Sequence, residues 1–179
     1  MSVKVGQKAP GFAMTTTSNM ESLDQVAKLE DFQGKWLVLF FYPLDFTFVC
    51  PTEILGFNTR LAEFESLGAS LLGVSTDSVY SHRAWIKASR GDGGLGGQLN
   101  YPLASDITKQ VARDYGVLIE EEGIALRGLF IIDPDGILRY QVVSDLNVGR
   151  SVEEVVRVLS ALQTGGLCPI DWHPGDRTL

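Results

Sequence analysis

Cys50 is the residue whose surroundings in the sequence most clearly favour chemistry. It follows a short loop, Leu44 to Val49, and directly precedes Pro51. Proline is common in the first turn of a helix, so Cys50 is expected at the helix N-cap or next to it. Free backbone N–H groups and the positive end of the helix dipole lie there, and both favour a thiolate over a thiol. Since the thiolate is the nucleophilic form of cysteine, this position predicts a reactive thiol.

Two polar residues near Cys50 can act on that thiol. Thr47 lies three residues before it, and its hydroxyl can donate a hydrogen bond to the thiolate or to a bound oxygen atom. Glu53 falls in the first turn of the same helix, where the dipole stabilises a carboxylate. Its negative charge opposes thiolate formation unless a cation neutralises it. The prediction of a reactive thiol therefore depends on such a cation.

Three other roles are possible for the cysteines, histidines and glycines of this sequence: core packing, zinc binding and phosphate binding. Cys50 can be read as a small buried hydrophobic residue, as many free cysteines are. A zinc site with His82 and His173 is disfavoured, because Cys50 has no ligand partner nearby in sequence and Cys168-x-x-x-x-His173 is an unusual ligand spacing. The glycine run 91–97 lacks the Gly-Lys-Ser/Thr ending of a phosphate-binding loop. We therefore expect no metal site and a flexible connector at those glycines.

Predicted strands and helices alternate in the sequence on both sides of Cys50. Residues 35–42 (KWLVLFFY) form a continuous apolar run, which is typical of a strand buried on both faces. From Pro51 to Phe64, apolar residues recur at helical spacing. The other predicted elements are edge strands and loops in 1–33, strands at 69–76, 101–104, 124–132 and 137–143, and helices at 79–89, 108–115 and 152–164. This order predicts an α/β fold with a mixed central sheet flanked by helices on both faces.

Local signals mark several ends of these elements. Asp133-Pro134-Asp135-Gly136 is a hairpin-turn sequence, because proline presets φ and glycine permits a positive φ. Ser151 to Glu154 matches a capping box, and Asp77-Ser78 can cap the helix that follows it. His82 is expected to pack on that helix with Trp85 nearby.

Length, composition and charge limit the classes of function. The 179 residues fit a single domain, 1–179, with an irregular tail at 164–179. A net charge of −7 without a basic cluster disfavours nucleic acid or an anionic membrane as partner. The longest apolar run, 36–42, is much shorter than a membrane span, and the first ten residues, MSVKVGQKAP, lack the apolar stretch of a signal peptide. The expected location is the cytoplasm.

The segment Phe40 to Glu53, FFYPLDFTFVCPTE, closely resembles the active-site signature of the typical two-cysteine peroxiredoxins of the alkyl hydroperoxide reductase C type. The family's Pro-x-x-x-Thr-x-x-Cys spacing stands here as Pro43, Thr47 and Cys50. Five further segments match in the same order: DSVYSHRAWI (77–86), GGLG (93–96), RGLFIIDPDG (127–136), VGRSVEE (148–154) and CPIDWHPG (168–175). The resemblance thus covers nearly the whole chain.

This resemblance implies a thioredoxin-like fold and a cofactor-free peroxidase for hydrogen peroxide and small organic hydroperoxides. Cys50 would attack the peroxide and become a sulfenic acid, which condenses with a second thiol. Cys168, in the tail, matches the resolving cysteine, which in this family usually comes from the partner subunit of a homodimer. Five such dimers often form a decamer. A thioredoxin-like protein or a flavoprotein reductase would then restore both thiols.

The resemblance also implies roles for five supporting residues. Arg127 matches the arginine that holds the thiolate and the peroxide oxygens, and Thr47 matches the threonine that hydrogen-bonds the peroxide. Pro43 would shield the pocket from water. Glu53 would pair with the arginines, and Arg150 matches a second arginine of that network. Without the resemblance, both arginines are simply surface cations, and Glu53 is a carboxylate at a helix N-terminus.

Alternative functions and two departures from the family remain. A thiol–disulfide oxidoreductase would normally show Cys-x-x-Cys, and residue 53 is Glu. A chaperone or peroxide-sensing role stays open as a second activity. After Cys168 the sequence lacks the Tyr-Phe pair of easily overoxidised members, so we expect Cys168 to be freed readily and Cys50 to resist overoxidation. Extra glycine around Gly93 to Gly96 makes local contacts there hard to transfer from the family.

Overall fold

The computed structural model describes residues 3–179, and its centre is a seven-stranded mixed sheet. The strands are β1 (Ala13–Thr16), β2 (Val26–Lys28), β3 (Trp36–Phe41), β4 (Ala69–Ser75), β5 (Leu103–Ser105), β6 (Leu118–Ile119), β7 (Ile124–Ala125), β8 (Arg127–Ile132) and β9 (Leu138–Ser144). The helices are α1 (Cys50–Thr59), α2 (Leu61–Ser66), α3 (Val79–Lys87), α4 (Gln110–Asp114) and α5 (Val152–Thr164). The main sheet has the order β2-β1-β5-β4-β3-β8-β9, and β6 pairs with β7 alone.

Strand β3 lies inside this sheet and brings the chain to Cys50. It pairs in parallel with β4 and antiparallel with β8, and all its residues except Trp36 are buried. The prediction of a strand buried on both faces is thus confirmed. Phe40 lies opposite Leu129 of β8. Because β8 runs in the opposite direction, its first residue, Arg127, lies at the edge of the sheet where β3 ends.

The two faces of the sheet are covered unequally. Alternate residues of β3 point to opposite faces, so Val38 and Phe40 face one core cluster while Leu37 and Leu39 face the other. Side chains of α1, α2, α3 and α5 complete the first cluster, and side chains of α4 contribute to the second. Helices on both faces were predicted and are found, four on one side and one on the other.

Three predicted elements differ from the structure. The helix from Pro51 to Phe64 is divided at Arg60, where φ is −104° and ψ is 14°, and the break lets Phe64 turn onto the ring of Phe57 with centroids 5.9 Å apart. The strand 124–132 is two strands, because the N–H of Leu126 donates to the carbonyl of Val117, outside the main sheet. The glycine-rich connector contains a short 3-10 helix, Arg90–Asp92.

The predicted turn and the two serine caps are found, but the capping box at Ser151 is only half formed, because the Glu154 carboxylate pairs with Arg157. Gly136 has φ of 78° in the β8–β9 turn, and the hydroxyls of Ser78 and Ser151 accept the capping hydrogen bonds of α3 and α5. Helix α5 ends at Gly165, which has φ of 68°. Residues 165–179 then form neither helix nor strand. Among residues 3–179, no helix has the length and apolar character required to cross a bilayer.

Candidate active site

The loop after β3 delivers Cys50 to the start of α1. Val49 is the N-cap, so Cys50 is the first helical residue and Pro51 the second. The N–H groups of Thr52 and Glu53 donate to the carbonyl of Val49, whereas Cys50 has no helical turn before it to accept from its own N–H. Its side chain is completely buried. The thiol therefore lies at the positive end of a helix dipole and out of bulk water.

Arg127 of β8 contacts the sulfur of Cys50. Its Nη1 donates to Sγ at 3.5 Å and to Oε2 of Glu53 at 2.7 Å. The guanidinium is 4% exposed, so its charge acts on both groups with little screening by water. A planar guanidinium stays charged and presents several N–H donors, which suits it to hold a thiolate and an oxygen atom together.

Arg150 binds the same carboxylate from the other side. Its Nε donates to Oε1 of Glu53 at 2.8 Å and its Nη2 to Oε2 at 2.9 Å, a paired arrangement that fixes both groups. The backbone N–H of Arg150 adds a third bond to Oε1 at 2.8 Å. Glu53 thus joins the two arginines, and one carboxylate faces two cations. The sulfur of Cys50 therefore lies beside a cluster of two guanidinium groups and one carboxylate.

The charge of Glu53 is stabilised by these same contacts. Burial alone would raise the pKa of this carboxyl, but the hydrogen bonds and charge of Arg150, together with the charge of Arg127, lower the pKa below its ordinary value. The cation that the sequence required for a reactive Cys50 is therefore present twice.

Backbone carbonyls set the orientation of both arginines. Nε of Arg127 donates to the carbonyl of Leu146 at 2.7 Å. Nη1 of Arg150 donates to the carbonyls of Phe41 at 2.8 Å and Gly128 at 2.7 Å. Main-chain oxygen atoms carry no signature in the sequence, so reasoning from residue types could not find this support.

Thr47 and Pro43 lie on the loop that precedes Cys50. The hydroxyl of Thr47 donates to the carbonyl of Leu44 at 3.0 Å. Its proton is thereby engaged, and its oxygen lone pairs remain able to accept a hydrogen bond. Pro43 is buried directly after the end of β3. Both residues are placed by the loop and belong to neither the arginine nor the carboxylate contacts.

Cys168 is located in the tail, against the end of α5. Its sulfur lies 3.4 Å from Oγ1 of Thr164 and 3.7 Å from the carbonyl oxygen of Ala161. It is partly exposed, and both cysteines are free thiols. The structure therefore brings Cys50 together with Glu53 and the two arginines and leaves the second thiol apart from them.

Asp45 is a loop residue that the sequence analysis missed. Its carboxylate is buried and accepts hydrogen bonds from Tyr42 at 2.7 Å and Ser81 at 2.8 Å. Nδ1 of His82 lies 2.8 Å from the same carboxylate. His82 was expected only to pack near Trp85. A single charged residue in the otherwise uncharged segment PLDFTF was the available signal for a buried, partnered carboxylate.

The pairing of Glu53 predicts an acid-sensitive contribution to stability. A carboxyl whose folded pKa is depressed stabilises the fold above its unfolded pKa, ordinarily 4.5, and this contribution is lost as the pH falls through the folded value. Removing the charge with Glu53→Gln should lower the free energy of unfolding at pH 7 by about 3–5 kcal/mol, because two buried cations lose their partner. The difference in free energy of unfolding between Glu53→Gln and the unaltered protein should shrink below about pH 4.5.

Denaturant unfolding at a series of pH values measures this difference. Glu63→Gln is the control, since Glu63 forms an exposed ion pair with Arg60, and the loss of such a solvent-screened pair should change stability little. A deficit of Glu53→Gln that is the same at pH 7 and pH 3 would contradict the charge pairing.

The chain is similar to known proteins over most of its length. Residues 5–141 match the model of the AhpC/TSA family. A relative from Clostridium pasteurianum, "Putative peroxiredoxin in rubredoxin operon", is 60% identical and the match covers 98% of each chain. The mitochondrial "Thioredoxin-dependent peroxide reductase" of Drosophila melanogaster is 53% identical, over 96% of this chain and 74% of the relative.

Solved structures give the same result for the fold. The reduced 2-Cys peroxiredoxin of Plasmodium vivax superposes with a TM-score of 0.90 at 39% identity, covering 97% of this chain and 91% of that one. AhpC of Enterococcus faecalis superposes with a TM-score of 0.84 at 36% identity, covering 94% and 100%. The expected thioredoxin-like fold is confirmed. Taken with the buried Cys50–Arg127 contact, these matches show that the chain belongs to the AhpC/TSA family, among the peroxiredoxins.

Proposed function

We propose that this peroxiredoxin reduces hydrogen peroxide and small organic hydroperoxides with Cys50 as the attacking nucleophile. One observation supports this most strongly. The sulfur of Cys50 is fully buried at the start of α1 with Nη1 of Arg127 at 3.5 Å. A buried thiol beside a fixed cation is activated as a nucleophile, whereas a buried thiol among apolar groups is inert.

The reaction is a transfer of one oxygen atom to sulfur. The Cys50 thiolate attacks the terminal oxygen of the peroxide, an S–O bond forms, and the O–O bond breaks. Sulfur becomes a sulfenic acid, and the departing oxygen takes a proton and leaves as water or an alcohol. Negative charge moves from sulfur to that oxygen, and the guanidinium of Arg127 is placed to stabilise it throughout.

The other site residues prepare the pocket for this step. Because the Thr47 proton is held by the carbonyl of Leu44, its oxygen can accept a hydrogen bond from the peroxide and orient it. Glu53 fixes the arginine and is itself fixed by Arg150. Pro43, buried at the end of β3, limits the access of water.

Cys168 is proposed as the thiol that resolves the sulfenic acid. Because Cys50 is buried and Cys168 lies against α5, the Cys50 loop must move before its sulfur can meet a Cys168 sulfur, whichever subunit supplies it. We favour a Cys168 supplied by the partner subunit of a homodimer. Five such dimers would associate into a decamer. The Drosophila relative is named as thioredoxin-dependent, which supports a thioredoxin-like reductant over a flavoprotein. The closing step is thiol–disulfide exchange.

A non-reducing gel after one equivalent of hydrogen peroxide tests this assignment. The unaltered protein should give a covalent dimer, because Cys50 of one chain and Cys168 of another form a disulfide. Cys168→Ser and Cys50→Ser should each remain monomeric on the gel. A dimer that still forms in Cys168→Ser would contradict the resolving role of Cys168.

Three sequence-based expectations stay predictions. They are a single domain over 1–179, a cytoplasmic location and resistance of Cys50 to overoxidation. A cytoplasmic location agrees with a cycle that needs thiols to be regenerated, since that compartment keeps thiols reduced.

A further inference from the structure

The loop between β3 and α1 is attached to the body of the protein through Asp45. Asp45 is 6% exposed, while Phe46 and Phe48 beside it are 48% and 94% exposed. Its carboxylate accepts from Tyr42, which directly follows β3, and from Ser81 of α3, and its backbone N–H donates to the Asp77 carboxylate at 3.0 Å. One buried residue thus ties the loop to the end of β3 and to α3.

His82 completes this attachment and links it to a third element. Its ring is fully buried, with Nδ1 2.8 Å from Oδ2 of Asp45 and Nε2 3.1 Å from the carbonyl oxygen of Ala104 in β5. Both ring nitrogens face oxygen acceptors. The buried ring thus joins Asp45 of the loop to β5. Removing one member of such a buried polar pair is costly, because the other member is left without its partner.

The part of the loop beyond Asp45 is strained. Phe46 has φ of 56°, a left-handed conformation that is rare for a bulky side chain and has a cost in free energy. The ring of Phe46 packs against Trp85 of α3 at 6.3 Å, and Thr47 follows immediately. The strained turn persists only while the contacts of Asp45 hold the loop in place. Release of Asp45 would favour an opened loop.

We propose that Asp45 and His82 are positioning residues that set the balance between the two chemical steps of the enzyme. With the pair intact, the loop that carries Thr47 and leads to Cys50 is held in place, and oxidation by peroxide is fast. With the pair weakened, the loop opens more readily, Cys50 leaves its pocket sooner, and disulfide formation is fast. This inference rests on the proposed function, because it assigns Cys50 both a peroxide step and a disulfide step.

The test measures the two steps separately in single-turnover experiments with hydrogen peroxide. Asp45→Asn keeps the shape of the side chain and removes the charge that His82 faces. Tyr42→Phe is a milder second variant that removes one donor to Asp45 and should fold even if the first does not. Asp133→Asn is the matched control. Asp133 is also buried and accepts two backbone N–H groups and Arg139, but it lies at the β8–β9 turn, at the opposite end of β8 from Arg127.

The rate of sulfenic-acid formation and the rate of disulfide formation are expected to change in opposite directions. Because a hydrogen bond to a charged group is lost, Asp45→Asn should form the Cys50 sulfenic acid about tenfold more slowly. It should convert the sulfenic acid to the disulfide several-fold faster and be overoxidised less at high peroxide. Tyr42→Phe should show smaller changes of the same signs, and Asp133→Asn should leave both rates unchanged.

Other outcomes would overturn the inference. Equal slowing of both steps in the Asp45 and Tyr42 variants would indicate general destabilisation, and unchanged rates would show that the pair does not position the loop. Failure of the proposed function looks different, because the unaltered protein itself would then form no sulfenic acid on Cys50.

Discussion

Replacing Cys50 with serine is expected to reduce peroxide consumption to the uncatalysed background. The sulfur must both attack the peroxide and keep the transferred oxygen atom, and a hydroxyl does neither. The serine hydroxyl is protonated at neutral pH, and its oxygen atom, unlike sulfur, forms no oxidised product equivalent to the sulfenic acid. The exchange is nearly isosteric, and Nη1 of Arg127 can still donate to the new oxygen, so the fold should be retained. The measurement is the initial rate of peroxide loss with reductant in excess.

Cys168→Ser is the matched comparison for this experiment. It changes the other cysteine in the same way, in the tail and away from Arg127, and should still consume one peroxide per chain in a single turnover. Peroxide consumption by Cys50→Ser at the rate of the unaltered protein would show that the nucleophile lies elsewhere.

Replacing Arg127 with methionine is expected to slow oxidation of Cys50 by about 10²–10³-fold. That range is the usual cost of removing one fixed donor from a site where charge develops in the transition state. The effect should be confined to the peroxide step, because Arg127 contacts Cys50 and Glu53 and makes no contact with Cys168. Single-turnover oxidation over a range of peroxide concentrations measures the rate constant directly.

Two further arginine variants sharpen this result. Arg127→Lys keeps a charge but loses the planar set of donors that reaches the sulfur, Glu53 and the carbonyl of Leu146 together, so an intermediate rate is expected. Arg139→Met removes an arginine that pairs with Asp133 and is 44% exposed, and the rate should not change. Oxidation of Arg127→Met within about threefold of the normal rate would contradict the role of the guanidinium in the transition state.

The local part of this site could be predicted from the sequence. The apolar run 35–42 indicates a buried strand, Pro51 indicates a helix start, and Cys50 therefore falls at a helix N-terminus. Each of these inferences depends on residues within a few positions of one another. The structure agrees, with the helix beginning one residue earlier than Pro51.

The long-range part required either a resemblance or a structure. Arg127 is 77 residues from Cys50, and the two meet because β8 pairs antiparallel with β3. No periodicity in the sequence specifies that pairing. The carbonyl of Leu146, which orients Arg127, is invisible to any argument from residue types. The family resemblance identified Arg127 as a site residue but did not explain why it lies beside Cys50. The register of the sheet explains that position.

The buried loop attachment was missed for a related reason. The sequence predicted only that His82 packs on its helix with Trp85 nearby, and it gave no role to Asp45 in the motif that contains Cys50. They are 37 residues apart and come together only when α3 packs beside the end of β3. Buried polar pairs depend on tertiary packing, so a sequence shows their members but not their contact.

Transfer of an oxygen atom from the peroxide to the sulfur of Cys50 can be observed by mass spectrometry of Cys168→Ser, treated with one equivalent of hydrogen peroxide and a sulfenic-acid trapping reagent. One trapped adduct per chain is expected, on the peptide that contains Cys50. Complete consumption of the peroxide with no adduct or oxygen on that peptide would contradict it.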